Sequence, residues 1–461
     1  MPRQLRDFNK LIDHSNDPVA NLQMSKLEKE NNKPAADETY SDERFLKIRD
    51  RKIAINVVRQ TLENVFRNDP PPNYKGEPQS GIYQMPRESE LGEINIALLG
   101  DWGTYTLESV NLAKNVAEKK PDYTIHLGDT YFTGSDDEID QCYNPDNKVW
   151  CYGRLGSFAL LGNHEMYSEA VNYYNPLLDK WMGIWNDGNM ANRRKQDYSY
   201  FCLENEYWRI IALDTGTDSH YSLVSRIKSF FHPSGDLMSG NTRLDIKDSQ
   251  LKWLEKEVFN NPDDKRGIIL LTHHQPWGIF KNYAYPVPAT TLARPELIGP
   301  QKRILWLWGH EHYFSMYGCS KGDRVVKAFG RCLGHAGMPV QLVEKKKDKH
   351  DNQVHRKEPV KIDKKGRPNT GYDYLALYDL RERSKAENPQ QTPLGYNGYA
   401  YITLNKETAT VNYYDYNPGT DQSDILVSES WTVTDGNLAG TIDPKVADGL
   451  GIIDIAKAVR P

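Results

Sequence analysis

Five short segments carry residues whose types and spacing can do chemistry. Asp101 stands in GDWG (100–103), Asp129 in GDTYFTG (128–134), and Asn163 with His164 in GNHE (162–165). His273 and His274 stand in THHQP (272–276), and His310 and His312 in GHEH (309–312). Carboxylate, amide and imidazole together make a mixed oxygen and nitrogen donor set without thiolate. Such a set suits Zn, Fe or Mn better than Ca, and it lacks the cysteine cluster of a structural zinc site. A carboxylate can bridge two cations. Two ions about 3.5–4 Å apart stabilise both the attacking and the leaving oxygen of an in-line displacement, which is what phosphoryl transfer needs.

These residues need elements to bring them together, and the sequence supplies them. Asp101 follows the apolar run IALLG, Asp129 follows TIHLG, and Asn163 follows ALLG. His273 follows IILLT, and His310 follows ILWLWG. Each segment is an apolar strand, often a glycine, then a polar side chain. In open α/β sheets the carboxyl ends of strands line one crevice, so the five ends can converge. Trp208–Leu213 reads as a further strand, and 107–119 and 247–259 read as helices. Strands separated by helices predict an α/β core. The Tyr-rich strands at 373–379, 398–404 and 408–414 are more closely spaced, as in an antiparallel meander.

Composition bounds the setting. The chain has 461 residues, 38% hydrophobic and 26% charged, as in a globular protein. Its 58 Lys and Arg against 63 Asp and Glu give a net charge of −5, which argues against a broad basic surface for nucleic acid or an anionic membrane. No apolar run approaches the ~20 residues of a membrane span. The N-terminus lacks the apolar centre of a secretory signal. Cys142, Cys151, Cys202, Cys319 and Cys332 form no CxxC pair. A soluble protein of a reducing compartment, cytoplasmic by default, is the expectation.

The ordered series GDWG, GDTYFTG, GNHE, THHQP and GHEH resembles the calcineurin-like metallophosphoesterase superfamily. The first two motifs are most similar to its purple acid phosphatase branch, which carries GDxG where most relatives carry DxH. The resemblance covers roughly 93–415 and implies a four-layer α/β/β/α sandwich. It implies two transition-metal ions (Fe, Mn or Zn) and a metal-bound hydroxide that attacks phosphorus in line. Asp101 would bind the first metal and Asp129 would bridge both. Asn163, His274 and His310 would bind the second, and His312 the first. His274 is chosen over His273 because relatives place this ligand two residues before a proline, here Pro276. His164 would contact the phosphate or protonate the leaving group, a role that suits an imidazole with an ordinary pKa near ~6.5. The substrate would be a phosphorylated compound, and the activity a phosphomonoesterase like acid phosphatase. A phosphodiesterase and a non-catalytic scaffold on a degenerate fold are the alternatives.

One departure motivates the scaffold alternative. Most of the superfamily has a histidine two residues after the first Asp, where this chain has Gly103. Purple acid phosphatases use a tyrosine three residues after the second Asp, where this chain has Phe132. Tyr131 comes one residue early. In an extended segment that slip would aim it away; a local bend would bring it back. Tyr131 and His273 are therefore secondary ligand candidates. Trp102, Glu165, Tyr167 and His335 are candidates for supporting the site or facing the substrate. His126, inside an apolar strand, reads as a core histidine.

The remainder divides into an N-terminal arm, helix and linker (1–90), a catalytic domain (91–415) and a C-terminal extension of unassigned role (416–461). Phe45, Ile48, Ile55, Val58, Leu62, Val65 and Phe66 recur at helical spacing, so 41–67 reads as a helix packed on the domain or as a dimerising one. Residues 344–367 form a charged insertion with ten Lys and Arg against five Asp and Glu. It reads as a solvated loop, or as a contact for an acidic partner.

Overall fold

The computed structural model describes residues 39–49, 51–53, 56, 81–86, 92–217, 219, 246–280, 284–345, 354–361, 369–383 and 393–461. From Ser41 onward the chain forms one compact unit. Most of the predicted helix beyond residue 53, the linker up to 80, and parts of the 344–367 insertion lie outside the described residues.

A strand with a core on each face reads as a continuous apolar run, because alternate side chains enter different layers. The Ile94–Leu99 strand behaves this way. Ile94, Ile96 and Leu98 enter one cluster, and Ala97 and Leu99 enter another. Arg303–Trp308 divides similarly, with Leu305 and Leu307 on one side and Ile304, Trp306 and Trp308 on the other.

In chain order come helix α1 (42–49), β1 (Ile82–Gln84), β2 (Ile94–Leu99), α2 (Leu107–Glu118), β3 (Tyr123–His126), α3 (Asp136–Tyr143) and β4 (Gly156–Ala159). Then follow β5 (Gly183–Ile184), β6 (Arg194–Lys195), β7 (Phe201–Glu204), β8 (Trp208–Leu213), α4 (Asp248–Trp253), β9 (Gly267–Thr272) and β10 (Arg303–Trp308). After these lie β11 (Phe314–Cys319), β12 (Lys327–Leu333), the β13 (Val343–Lys345) and β14 (Val354–Arg356) ribbon, and β15 (Leu375–Tyr378). The chain ends with β16 (Asn397–Asn405), β17 (Thr408–Asn417), β18 (Gln422–Thr434), β19 (Asn437–Ile442) and β20 (Gly451–Ile452).

Two nine-stranded sheets result. One has the order β1-β7-β8-β9-β10-β12-β11-β15-β20, the other β19-β18-β17-β16-β2-β3-β4-β5-β6. In the first, β8, β9, β10 and β12 run parallel; in the second, β2, β3 and β4 do. A shared core of Ile96, Leu98, Ile125 and Phe158 from one sheet and Ile269, Leu271, Leu305 and Phe329 from the other lies between them. The outer face of the first sheet packs against Trp253 and Leu254 of the α4 region. The outer face of the second packs against Val110, Leu112 and Val116 of α2 and Ile139 and Tyr143 of α3. The architecture is the expected α/β/β/α sandwich.

One region differs from a plain reading of the sequence. Residues 416–461 are woven into both sheets: β18 and β19 extend the second, and β20 pairs with β15 of the first. Asp435-Gly436 closes the β18–β19 hairpin with positive φ at both positions (48° and 74°), the chemistry of a tight two-residue turn. The described turns of α1 pack within the chain, with Phe45 fully buried. No helix among the described residues is long and apolar enough to cross a membrane.

Candidate metal centre

The strand ends converge as their order in the sheets requires. β2 and β3 deliver Asp101 and Asp129, β4 leads to Asn163 and His164, and β9 and β10 lead to His273, His274, His310 and His312. Asp101 and Asp129 are buried, and among the described residues neither pairs with Lys or Arg. Asp101, Asp129 and His310 hold φ values of 56°, 71° and 67°. Non-glycine residues adopt this left-handed region at a cost, and such strain gathers at functional sites.

The distances define one constellation. The Tyr131 phenol lies 3.0 Å from Asp101 Oδ1, 3.2 Å from Asp129 Oδ2 and 2.8 Å from His312 Nε2. His312 Nε2 is 3.3 Å from Asp101 Oδ1. His273 Nε2 is 3.3 Å from the other oxygen of Asp129 and 3.2 Å from Asn163 Oδ1. Among the described residues, two donor groups are compact enough to hold an ion: Asp101, Asp129 and His273, and His273, His274 and His310. His310 Nδ1 is buried with no hydrogen-bond partner among the described residues.

Backbone contacts orient the rings. His273 Nδ1–H donates to the Leu127 carbonyl at 2.9 Å, which leaves Nε2 as the ligating nitrogen. His274 Nδ1 lies 3.1 Å from the Thr215 hydroxyl, so its Nε2 is likewise free to ligate. His164 Nδ1–H donates to the Phe132 carbonyl at 2.7 Å, and its Nε2 stands 3.9 Å from Asp129 Oδ2. Glu165 accepts from the backbone N–H groups of Asp129 (3.2 Å), Thr130 (2.5 Å) and Gly162 (3.0 Å), tying the ends of β3 and β4 together. A Cβ at Gly162 would lie 2.1 Å from Asp129 Oδ1, so only glycine fits there.

The electrostatics of the bare residues favour a cation. Burial, with the charge of Asp129 behind it, pushes the Asp101 carboxyl up to about 8. Burial also opposes ionisation of Asp129, but the charges of His273 and His164 overcome it and hold that carboxyl well below its usual range. Burial alone would lower His273; Asp129 raises it to about 9. A proton shared among these groups offsets charge that a metal ion would offset better. The donor set, the compact groups and the unpartnered His310 nitrogen all fit metal ions.

Several secondary candidates can now be placed. Tyr131 reaches the cluster because 130–134 is a turn, closed by Gly134 N–H to the Thr130 carbonyl at 2.9 Å, and is not extended. A Cβ at Gly103 would sit 2.9 Å from Thr130 Cα, so the position where the resemblance would place a histidine has no room for a side chain. His273 sits at the centre of the cluster beside His274. Tyr167 is a neighbour of His164, with ring centroids 5.1 Å apart. Trp102 is not at the site: its N–H donates to the Ser109 carbonyl at 2.8 Å and its ring packs on Trp150 and Tyr143 in the outer core. The His335 ring packs on Phe314 away from the site. Its loop helps only through backbone, as Ala336 and Met338 N–H groups donate to the Gly100 and Asp101 carbonyls. Thr215 was missed, although its segment LDTG follows β8 with the same strand-end pattern.

Residues 94–314 match the family profile described as calcineurin-like phosphoesterase. Over that span the chain is similar to this family. The family comprises metal-dependent phosphoester hydrolases that use divalent metals. No curated protein matches the chain. Among solved structures it is similar to GAP50, the anchor in the inner membrane complex of Plasmodium, at 11% identity, covering 74% of this chain and 89% of that one with a TM-score of 0.41. It is similar to PhoD at 11% identity, covering 83% and 78%, with a TM-score of 0.42. It is also similar to purple acid phosphatase PPD1 from yellow lupin (Lupinus luteus) seeds at 12% identity, covering 77% and 55%, with a TM-score of 0.40.

Proposed function

We propose that this chain is a two-metal phosphomonoesterase built on the purple acid phosphatase pattern. The observation that carries the reading is the pair of buried carboxylates, Asp101 and Asp129, joined by the Tyr131 phenol and flanked by imidazoles with no Lys or Arg counter-ion among the described residues. Asp101, Tyr131 and His312 would hold one ion. Asn163, His273 or His274, and His310 would hold the other, and Asp129 would touch both. Bound metals would lower the pKa of water and neutralise charge on the phosphoryl oxygens.

The chain's own groups complete the chemistry. His164 is anchored through Nδ1 to Phe132, so its Nε2 faces the cluster and can give a proton to the departing alcohol oxygen. The turn that brings in Tyr131 would supply a donor where Gly103 cannot, which supports an enzyme over a non-catalytic scaffold. The test is turnover of an aryl phosphate and an aryl diester by the full chain, with Mn, Fe and Zn supplied separately. Monoester hydrolysis is expected, falling roughly 10²–10⁴-fold in His164→Ala at unchanged metal content. Full activity in metal-replete His164→Ala would remove that role, and no turnover with any metal would restore the scaffold reading.

A further inference from the structure

We propose that the segment led by α1, which lies outside the family domain, positions Tyr131 in the metal centre through Phe45. This inference rests on the reading of Tyr131 as a metal ligand. Phe45 is fully buried and stacks on Phe132 with centroids 4.8 Å apart and an interplanar angle of 17°. It also meets the Tyr131 ring edge-on at 6.0 Å. Aromatic pairs of this geometry prefer a fixed arrangement, so Phe45 limits how the Tyr131-Phe132 pair can turn.

Two further contacts hold the same loop. Asn56 donates to Glu138 Oε1 at 2.9 Å, and the other oxygen of Glu138 accepts from the N–H groups of Thr133 and Ser135 at 3.0 Å each. Glu138 is thus the joint between the N-terminal segment and the turn that follows Tyr131. At the other end of α1, Asp42 forms a buried ion pair with Arg383, which also reaches Glu108 of α2 at 3.3 Å. The segment is latched on both sides of Phe45. Its apolar ring covers the loop that, by sequence count, places the tyrosine one residue early. The turn must be held in register for Tyr131 to reach the cluster, and Phe45 holds it.

The experiment is calorimetric titration of the metal-free full chain with Mn²⁺ alone. Tyr131→Phe and Asp101→Asn identify the binding event that belongs to the Asp101 side. Loss of an outer orienting contact typically weakens metal binding 10–100-fold. Phe45→Ala is expected to weaken that event by about 10-fold and to leave the other within about twofold. The Phe45→Ala/Tyr131→Phe double variant is expected to bind no more weakly than Tyr131→Phe, because both changes remove one coupled unit. Asn56→Ala should act in the same direction by a smaller factor. If Phe45→Ala does not fold, Phe45→Leu, which keeps apolar contact without the stacked ring, is held to the same expectations. Equal weakening of both events, no weakening, or additivity with Tyr131→Phe overturns the proposal. If Tyr131→Phe leaves both events unchanged, the ligand reading falls and this inference with it. If Tyr131→Phe weakens one event and the Phe45 variants do not, only the positioning role falls.

Discussion

Asp129 is the residue on which the centre turns. One of its oxygens meets the His164 N–H at 2.8 Å and His273 Nε2 at 3.3 Å, while the other meets the Tyr131 phenol at 3.2 Å. A side chain touching both halves is expected to control both ions. Asp129→Asn keeps the shape but replaces one ligating oxygen with an N–H₂ donor. Elemental analysis should find both metals lost together, whereas Asp101→Asn should lose one; retention of two metals in Asp129→Asn would refute bridging. Much of this was legible residue by residue. Asp101, Asp129, Asn163, His310 and His312 were identifiable because each follows a strand. The choice between His273 and His274 was not, because adjacent imidazoles on a bend after β9 can both turn inward, and only the Leu127 carbonyl and the Thr215 hydroxyl, remote in sequence, decide which nitrogens are left to ligate. Tyr131 was equally undecidable, since its direction depends on a turn closed by backbone hydrogen bonds.

At the scale of elements, the strands with a core on each face declared themselves as apolar runs. β18 and β19 did not, because their outer faces are polar and solvated: QSDILVSESWTVT alternates, and only the Asp435-Gly436 turn marks the hairpin. His126 is a test of how tightly an element is packed. It lies in β3, wholly buried among Trp102, Tyr143 and Trp150, with Nδ1 2.9 Å from the Tyr143 hydroxyl and no partner for Nε2 among the described residues. Burial lowers it to about 3 against an ordinary 6.5. A depressed folded pKa contributes stability above the unfolded value and loses it as pH falls towards the folded one. Between pH 6.5 and 3 the neutral core histidine should therefore cost the fold a few kcal/mol in all, on the order of 1.4 kcal/mol per pH unit. His126→Gln should flatten that part of the stability curve in urea titrations across pH. An unchanged acid limb would mean that His126 does not contribute to it.

Across the whole molecule, the two sheets are joined by more than apolar contact. Arg331 of β12 is fully buried and pairs with Glu429 of β18 at 2.6 Å and 3.1 Å. The remaining donors of Arg331 reach the carbonyls of Tyr317, Gly330 and Ala458, and the Tyr413 hydroxyl donates to Glu429 at 2.6 Å. Both sheets and the C-terminal segment thus meet at one guanidinium, which gives residues 416–461 a structural role. Removing one member of a buried pair strands the other charge and typically costs about 3–5 kcal/mol, whereas replacing both by apolar side chains is often near neutral. Glu429→Ala should therefore lower the urea unfolding free energy by about 3–5 kcal/mol, and Arg331→Met/Glu429→Leu should recover most of it. Truncation after residue 415 removes Glu429 together with Leu426, Val427, Trp431 and Leu438 of the shared core. That chain should fail to give a cooperative unfolding transition. If it unfolds cooperatively with native stability, residues 416–461 are an appendage and the Arg331 network does not hold the sandwich together.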